Sequence, residues 1–206
     1  MTSAAALDAA AALAPSHPAT SIDSLPWLAR ALTADAEASA FDAWGSSTVV
    51  DENVGAPVLP RPLFDELHRR AHLAAEWPVG NAGVLHVYGY LLSDTPTPYG
   101  LKRERWLTDD LARACGLPAG ALLPWTGTRT LLQRVTAAAS AVLGHPDALV
   151  EHVGARHARI ALTSATAGSA ALAYAVDDLL VTMFPVADAT AVRAGLGAPR
   201  LRWNAA

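Results

Sequence analysis

Three strand-like runs separated by very short turns fill the C-terminal part of this chain and constrain its fold most. The runs are Arg156–Thr166, residues 170–176 and Leu179–Val186, and they are joined by Ala167-Gly168-Ser169 and by Asp177-Asp178. Turns this short connect antiparallel neighbours, because a crossover between parallel strands needs about a dozen residues or more. The pattern therefore predicts an antiparallel meander.

Helical patterns occur ahead of this meander at residues 25–44, 63–77 and 130–143. The last of these begins with Thr130 and Gln133 in the arrangement of a capping box and carries an apolar face at helical spacing. No strand–helix–strand alternation and no glycine-rich phosphate loop is present. The sequence therefore predicts the α+β class.

Length and composition limit the domain organisation. Of the 206 residues, 52% are hydrophobic and 17% are charged, which is typical of a folded domain and not of a disordered chain. This length fits one domain, which we place at residues 21–206. Residues 1–20 are rich in alanine and are predicted to form a mobile or frayed N-terminal segment.

The charge balance and the single cysteine exclude several classes of partner. A net charge of −4 argues against nucleic-acid and anionic-membrane binding, because both need a broad basic surface. Cys115 alone excludes an internal disulfide and favours a reducing compartment. Asp8 interrupts the first apolar stretch, no basic region precedes it, and no long uncharged apolar run occurs. We therefore predict a cytoplasmic protein with no membrane or nucleic-acid partner.

The densest run of cationic and aromatic residues surrounds Lys102, the only lysine among 15 lysines and arginines. It reads Tyr99-Gly100-Leu101-Lys102-Arg103-Glu104-Arg105-Trp106. An ammonium is a compact charge whose pKa falls on burial, whereas a guanidinium is a planar and permanently charged fork. A lone lysine in an arginine-rich chain therefore suggests a chemical role, although chance retention explains it equally well.

Residues 84–92 form the best strand candidate of the first half, and residues 101–107 are predicted to run back antiparallel to it. An imidazole, two phenol rings and a cationic end would suit a small carboxylated ring. The alternative is a basic strand that faces solvent and pairs with neighbours such as Glu104, Asp109 and Asp110. The side chains that this hairpin would bring together are His86, Tyr88, Tyr90, Lys102, Arg103 and Arg105.

Two pairs of histidines are close enough in the sequence to be candidate metal ligands. His68, His72 and Glu76 are spaced to project from one side of a helix and could bind a divalent ion. They lie at the polar edge of the predicted helix, so a solvated helix face is the favoured interpretation. His152 and His157 lack carboxylate or cysteine partners, and no metal is predicted at either place.

Candidate nucleophiles are weak as well. Cys115 lies at the end of a predicted helix, where the helix dipole disfavours a thiolate, and we expect it to be a packing residue. Ser164 and Ser169 lack the glycine context of a hydrolase nucleophile.

The order of several segments resembles that of chorismate pyruvate-lyase proteins. Leu25-Pro26-Trp27-Leu28, followed by a helix and a strand at residues 47–51, is similar to the family's opening. Residues 115–125 are similar to its Leu-Gly…Pro-Leu-Gly…Leu-Phe segment. Residues 85–106 resemble its central strand pair, and residues 159–166 and Leu179–Val186 its final strands.

This resemblance implies one α+β domain in which a central antiparallel sheet and packed helices surround an enclosed small-molecule pocket, with no cofactor or metal. The family's carboxylate-binding arginine would fall on Arg103 or Arg105. Its first-strand arginine would fall on His86, and its acidic catalytic residue on Met183. Losing that acid removes the proton donor, so elimination of pyruvate from chorismate itself is not expected. Residues 130–143 would be an insertion.

We therefore predict a cofactor-independent enzyme, of lyase or isomerase type, that acts on a small anionic cyclic or aromatic carboxylate. The alternative is a binding module of the same fold that holds such a ligand without converting it. The sequence leaves the substrate and the oligomeric state open. The predicted catalytic residues are His86 and Lys102, and the predicted substrate-binding residues are Tyr88, Tyr90, Arg103 and Arg105.

Overall fold

The computed structural model of the protein describes residues 4–146, 149–153, 155–166 and 169–196. Its α-helices are α1 (Ala4–Leu13), α2 (Pro18–Asp23), α3 (Pro26–Glu37), α4 (Arg61–Arg70), α5 (Glu104–Leu107), α6 (Asp110–Ala114), α7 (Leu131–Leu143) and α8 (Ala189–Leu196). Its strands are β1 (Ser46–Thr48), β2 (Val79–Asn81), β3 (Pro96–Thr97), β4 (Gly100–Leu101), β5 (Leu149–Val153), β6 (Arg156–Thr166), β7 (Ser169–Val176) and β8 (Leu179–Val186).

The main sheet is the predicted meander extended by one strand. Its order is β5-β6-β7-β8, and every neighbouring pair is antiparallel. Asp177 and Asp178 have φ angles of 51° and 63°, which is the backbone of a type I′ hairpin turn. Together with the many helices, these antiparallel strands confirm the predicted α+β class. The expected turn at residues 167–168 and the glycine at position 154 lie outside the described residues.

The two faces of the main sheet pack differently. Helices α6 and α7 contact one face, where Ala161, Ala171 and Ala173 are buried in the principal core. These alanines leave room for the helix side chains to approach the sheet. The opposite face buries a second apolar cluster that includes Ile160 and Leu172 and is contacted by α8.

Residues 84–92 are helical, so the predicted strand is wrong. Val84–Tyr88 forms a π-helical turn, and Gly89–Leu92 continues it as a 3₁₀ turn. Every residue in both turns is buried. A fully buried run of β-branched and aromatic residues shows no alternation of exposure, and such a run fits a buried helical segment as well as a strand.

The predicted second strand at residues 101–107 is also wrong in most of its length. Only β4 is extended, and it pairs with β3 in a two-residue ladder. The chain then turns into α5, which begins at Glu104. The cationic run therefore lies at the start of a short helix and not along a β-ribbon.

The N-terminal residues are packed, in place of the predicted mobile or frayed segment. Leu7, Ala10 and Ala14 are buried in the principal core. The hydroxyl of Ser21 in α2 donates to the carbonyl of Ala10 at 2.7 Å, which ties α2 to α1. The alanine-rich composition is thus explained by close helix packing.

Other helix predictions hold in part. Helix α7 begins where predicted, because the Thr130 hydroxyl accepts a hydrogen bond from the Gln133 amide at 3.2 Å. Helix α4 ends at Arg70, earlier than predicted, and His72 has a positive φ of 55°. None of the helices in the described part of the chain is both long and apolar enough to cross a membrane.

Candidate functional site

Four of the six predicted site residues lie together at the start of α5. We call His86, Tyr90, Lys102 and Arg105 the cationic cluster. His86 and Tyr90 are four residues apart in consecutive helical turns, and their rings stack with centroids 4.8 Å apart. The Lys102 ammonium and the Arg105 guanidinium lie over the Tyr90 ring, 5.2 Å and 5.1 Å from its centroid. Tyr90 therefore holds an imidazole and two cations in one place.

Lys102 is ion-paired with Asp51. The Lys102 Nζ contacts Asp51 Oδ2, while Asp51 Oδ1 accepts hydrogen bonds from the amides of Asn53 and Val54 at 2.8 Å and 3.1 Å. Burial opposes ionisation of Asp51, but Lys102 and these amides outweigh it and lower its pKa. The pKa of Lys102 is also lowered, by burial and by Arg105, despite the attraction of Asp51. The pair thus favours the charged carboxylate more than the charged amine.

Arg105 has no carboxylate within ion-pairing distance among the described residues. Its Nη1 donates to the backbone carbonyl of Met183 in β8 at 3.2 Å, and its guanidinium also lies 5.8 Å from the Trp106 ring. Burial lowers the pKa of Arg105, and Tyr90 and Asp51 oppose this shift. A guanidinium stays charged across the physiological range, so the site holds a partly buried positive charge that makes one hydrogen bond to the part of the chain that the structure describes.

His86 is a neutral, buried imidazole. Its Nε2 shares a hydrogen bond of 3.0 Å with Ser47 Oγ in β1, and its Nδ1 has no partner in hydrogen-bonding geometry. Burial holds its pKa well below the usual value, and the charges of Arg105 and Lys102 lower the pKa further. The carbonyl of Val181 raises it, but less. The ring is therefore uncharged at neutral pH.

Tyr88 lies apart from the cationic cluster, although it was predicted to share a face with Tyr90. Its hydroxyl donates to Asp35 of α3 deep in the core, and burial raises the pKa of this phenol well above its usual value. Tyr88 and Tyr90 are two residues apart, so a helical backbone points them in different directions. Tyr88 has no exposed surface to offer a ligand.

Arg103 also lies apart from the cationic cluster. Its Nη1 donates to Asp8 of α1 at 2.8 Å, and its buried Nε has no partner in hydrogen-bonding geometry. Arg103 therefore joins the N-terminal helix to the start of α5.

His68 and His72, which were predicted to lie on one solvated helix face, are separated by the early end of α4. His68 is buried, with Nδ1 against the Phe64 carbonyl at 2.8 Å and Nε2 accepting from the Asn81 amide at 3.0 Å. Burial lowers the pKa of His68. It therefore holds β2 against α4 and does not lie on a solvated helix face. In the described part of the chain, no three groups suited to a metal ion come together.

Cys115 behaves as a packing residue. It is partly buried against the principal core, and burial raises its pKa to about 11. The thiol is therefore protonated at neutral pH. The side chains of His152, Ser164 and Ser169 lie outside the described part of the structure.

A separate cleft of about 750 Å³ lies on the other face of β1. Ser46 lines it, whereas the next residue, Ser47, contacts His86. Successive strand residues point to opposite faces, so β1 separates the cleft from the cationic cluster. None of the four cluster residues lines this cleft.

Sequence reasoning missed three partners of the cationic cluster: Ser47, Asp51 and the carbonyl of Met183. Asp51 had a detectable signal, because Asp-Glu-Asn after a strand candidate favours a turn in which the aspartate accepts backbone hydrogen bonds. The other two contacts depend on long-range packing and have no local signal.

The fold and site define an α+β protein with a cationic, aromatic cluster between a helical segment and the edge strand of a sheet. Comparisons of the chain with protein-family models, characterised proteins and solved structures gave no match. Nothing in them bears on the resemblance to chorismate pyruvate-lyases, which stays a prediction.

Proposed function

We propose that this protein binds a small organic carboxylate at Arg105. The observation that carries the proposal is a partly buried guanidinium with no carboxylate partner among the described residues. Removing a charge from water is costly unless a counter-charge compensates it. A carboxylate meets the planar fork of a guanidinium with two parallel hydrogen bonds, so it is the anion that arginine binds most specifically.

The charge of the cationic cluster favours a ligand with a single negative charge. Asp51 neutralises Lys102, and the imidazole of His86 is uncharged. Arg105 is then the cation of the cluster that has no ion-pair partner among the described residues, while Glu52 adds to the negative charge that acts on Lys102. An apolar or aromatic body on the carboxylate would suit a site that contains Tyr90 and Trp106.

The contacts of His86 favour a binding module over an enzyme. Its Nε2 is engaged by Ser47 and its Nδ1 is buried, so neither nitrogen is open to a substrate. A general base must reach the proton that it removes.

The alternative is a cofactor-independent lyase or isomerase with an enclosed pocket. The observation that favours it is a neutral imidazole next to two cations. We propose a cytoplasmic location for the protein, whether it is a binding module or an enzyme.

Carboxylate binding is tested with Arg105→Gln, which keeps a donor for the Met183 carbonyl but removes the charge. Isothermal titration should show that the parent binds benzoate more tightly than neutral benzamide, the matched probe. Arg105→Gln should bind benzoate more weakly than the parent does. Hydrogen bonds to charged groups contribute about 1.5–3 kcal/mol, so a loss of about tenfold to 100-fold in affinity is expected. The control is Arg61→Gln, which removes an exposed cation far along the chain.

Equal benzoate affinity in Arg105→Gln and in Arg61→Gln would overturn the proposal. The catalytic version is tested separately, by incubating the protein with a panel of small anionic cyclic and aromatic carboxylates and analysing the products by mass spectrometry. Turnover in the parent that His86→Gln abolishes, with benzoate affinity retained, would establish the enzyme. Binding without turnover would favour the binding module over the enzyme.

A further inference from the structure

The cleft on the other face of β1 has both apolar and polar walls. Its large side chains come from the residues just before β1, from the loop after α4, from β2 and from the start of β8: Trp44, Leu73, Trp77, Val79, Leu179 and Val181. A volume of about 750 Å³ lies within the range of about 300–1,000 Å³ that is usual for small-molecule sites. The cleft is therefore large enough for a ligand with an aromatic or branched body.

Two of these side chains are unusually exposed. Val79 is 39% exposed and Leu179 is 40% exposed, and they meet at the same cleft from β2 and β8. Large apolar side chains that gather at a concave surface, in contrast to ones scattered singly, mark a binding site. Leu13 and Tyr99 are exposed to a similar or greater degree but lie outside the cleft.

The walls are held in place by the backbone. Glu76 and Val79 exchange both backbone hydrogen bonds, at 3.2 Å and 2.7 Å, which closes the loop between them into a tight turn. Trp77 within this turn packs edge-to-face on Phe64, with ring centroids 5.4 Å apart. A cleft with fixed walls loses little conformational entropy when a ligand enters.

The charges at the cleft have a net negative sign. Asp177 is paired with Arg156, whose Nε lies 2.9 Å from its carboxylate. Glu76 also lines the cleft, is exposed, and has no ion-pair partner among the described residues. Glu76 directly precedes Trp77, which also lines the cleft, and indole rings attract cations as well.

We propose that this cleft binds a small amphipathic organic cation, with an aromatic or branched apolar body and a single ammonium group. The body packs between Val79, Leu179 and Trp77, and the ammonium lies at Glu76. Charge complementarity favours this occupant over a neutral apolar molecule and over a carboxylate. None of the four residues of the cationic cluster lines this cleft, so the two sites use different side chains, although Val181 lines the cleft and its carbonyl also acts on His86.

The test compares three probes with similar bodies: 2-phenylethylammonium, 2-phenylethanol and phenylacetate. Titration followed by NMR should give the tightest binding for the cation. Glu76→Gln should weaken binding of the cation by about threefold to tenfold, as expected for an exposed carboxylate next to an indole. Affinity for 2-phenylethanol should not change. The control is Glu37→Gln, an exposed and unpaired carboxylate at the end of α3.

The apolar part of the site is tested with Val79→Ser and Leu179→Ser, matched by Leu13→Ser outside the cleft. Both cleft variants should weaken the binding of every probe that binds the parent, while Leu13→Ser should leave cation binding unchanged. Equal affinity for the cation and for 2-phenylethanol would overturn the proposal. It would also be overturned if sedimentation showed a dimer that Val79→Ser dissociates, because a second copy would then occupy the cleft.

Discussion

The buried imidazole of His86 makes a specific contribution to the pH dependence of stability. The pKa of His86 is held well below its usual value in the folded protein, mainly by burial and then by Arg105 and Lys102. In the unfolded chain a histidine titrates near pH 6.5, so the unfolded state binds the proton first as the pH falls. The stabilisation is therefore complete above about pH 6.5 and is lost as the pH falls towards the folded pKa.

We expect His86→Gln to flatten the acid side of the stability profile. In the parent, His86 adds a slope of up to about 1.4 kcal/mol per pH unit as the pH falls below about 6.5. Urea unfolding at several pH values measures this slope. His68, whose pKa is also lowered by burial, should leave a residual slope in the variant. The exposed His17→Gln is the control, and a parent-like slope in His86→Gln would contradict the expectation.

Residue spacing explains which site residues were predicted correctly as neighbours. His86 and Tyr90 are four apart, and this spacing shares a face in a strand and also in a helix. Their proximity therefore survives the wrong assignment of residues 84–92. Tyr88 and Tyr90 share a face only in a strand, so the helical backbone separates them. Lys102 and Arg105 are three apart, a spacing that a strand would place on opposite faces and a helical turn places on one side. Their meeting over Tyr90 therefore depends on the turn into α5, and Arg103 points to Asp8 instead.

At the level of elements, the best-supported prediction was α7, and its start is tied to a buried carboxylate. Asp35 of α3 accepts hydrogen bonds from the Thr130 hydroxyl at 2.7 Å and from the side-chain amide of Gln133 at 3.1 Å. It also accepts one from the Tyr88 hydroxyl. Burial raises the pKa of Asp35, and these donors partly oppose the shift. Thr130 therefore caps α7 and also stabilises the ionised form of Asp35.

Removing this hydroxyl should destabilise the protein more than an ordinary cap mutation. We expect Thr130→Ala to lower the free energy of unfolding by about 1–2 kcal/mol or more at neutral pH, because the cap and a donor to Asp35 are both lost. The loss should shrink at a pH where Asp35 is protonated, since a neutral carboxyl needs the donor less. Urea unfolding of Thr130→Ser, which keeps the hydroxyl, and of the exposed Thr33→Ala gives the controls. A loss that does not vary with pH would contradict the role of Asp35.

Elements marked by a capping residue or a turn motif in the sequence were predicted correctly. Elements whose conformation depends on the residues packed around them were not. The cap at Thr130 and the two aspartates at the turn between β7 and β8 act within a few residues, so α7 and the strand order of β6 to β8 follow from the sequence. Residues 84–92 have no polar side to mark a helical face, and their turns depend on surrounding contacts. One such contact is at Gly83, where an added Cβ would lie 2.8 Å from the Trp44 ring.

At the level of the whole molecule, the N-terminal helix is part of the principal core. Alanine-rich stretches carry little side-chain information, and nothing in residues 1–20 alone predicts what they pack against. In the structure, α1 contacts the 3₁₀ turn Gly89–Leu92, the turn that contains Tyr90 of the cationic cluster. Arg103 adds a second connection through Asp8. The helix therefore supports the same segment that carries the proposed carboxylate site.

This placement predicts a large effect of a single truncation in α1. Leu7 is fully buried, so Leu7→Ala should lower the free energy of unfolding by about 2–5 kcal/mol, the usual cost of a cavity in a core. Leu13→Ala, in the same helix but 36% exposed, is the matched control and should change stability by less than about 0.5 kcal/mol. Urea unfolding measures both variants. If the N-terminal residues were a mobile segment, the two substitutions would have equally small effects. A large loss confined to Leu7→Ala would show that α1 unfolds together with the rest of the core.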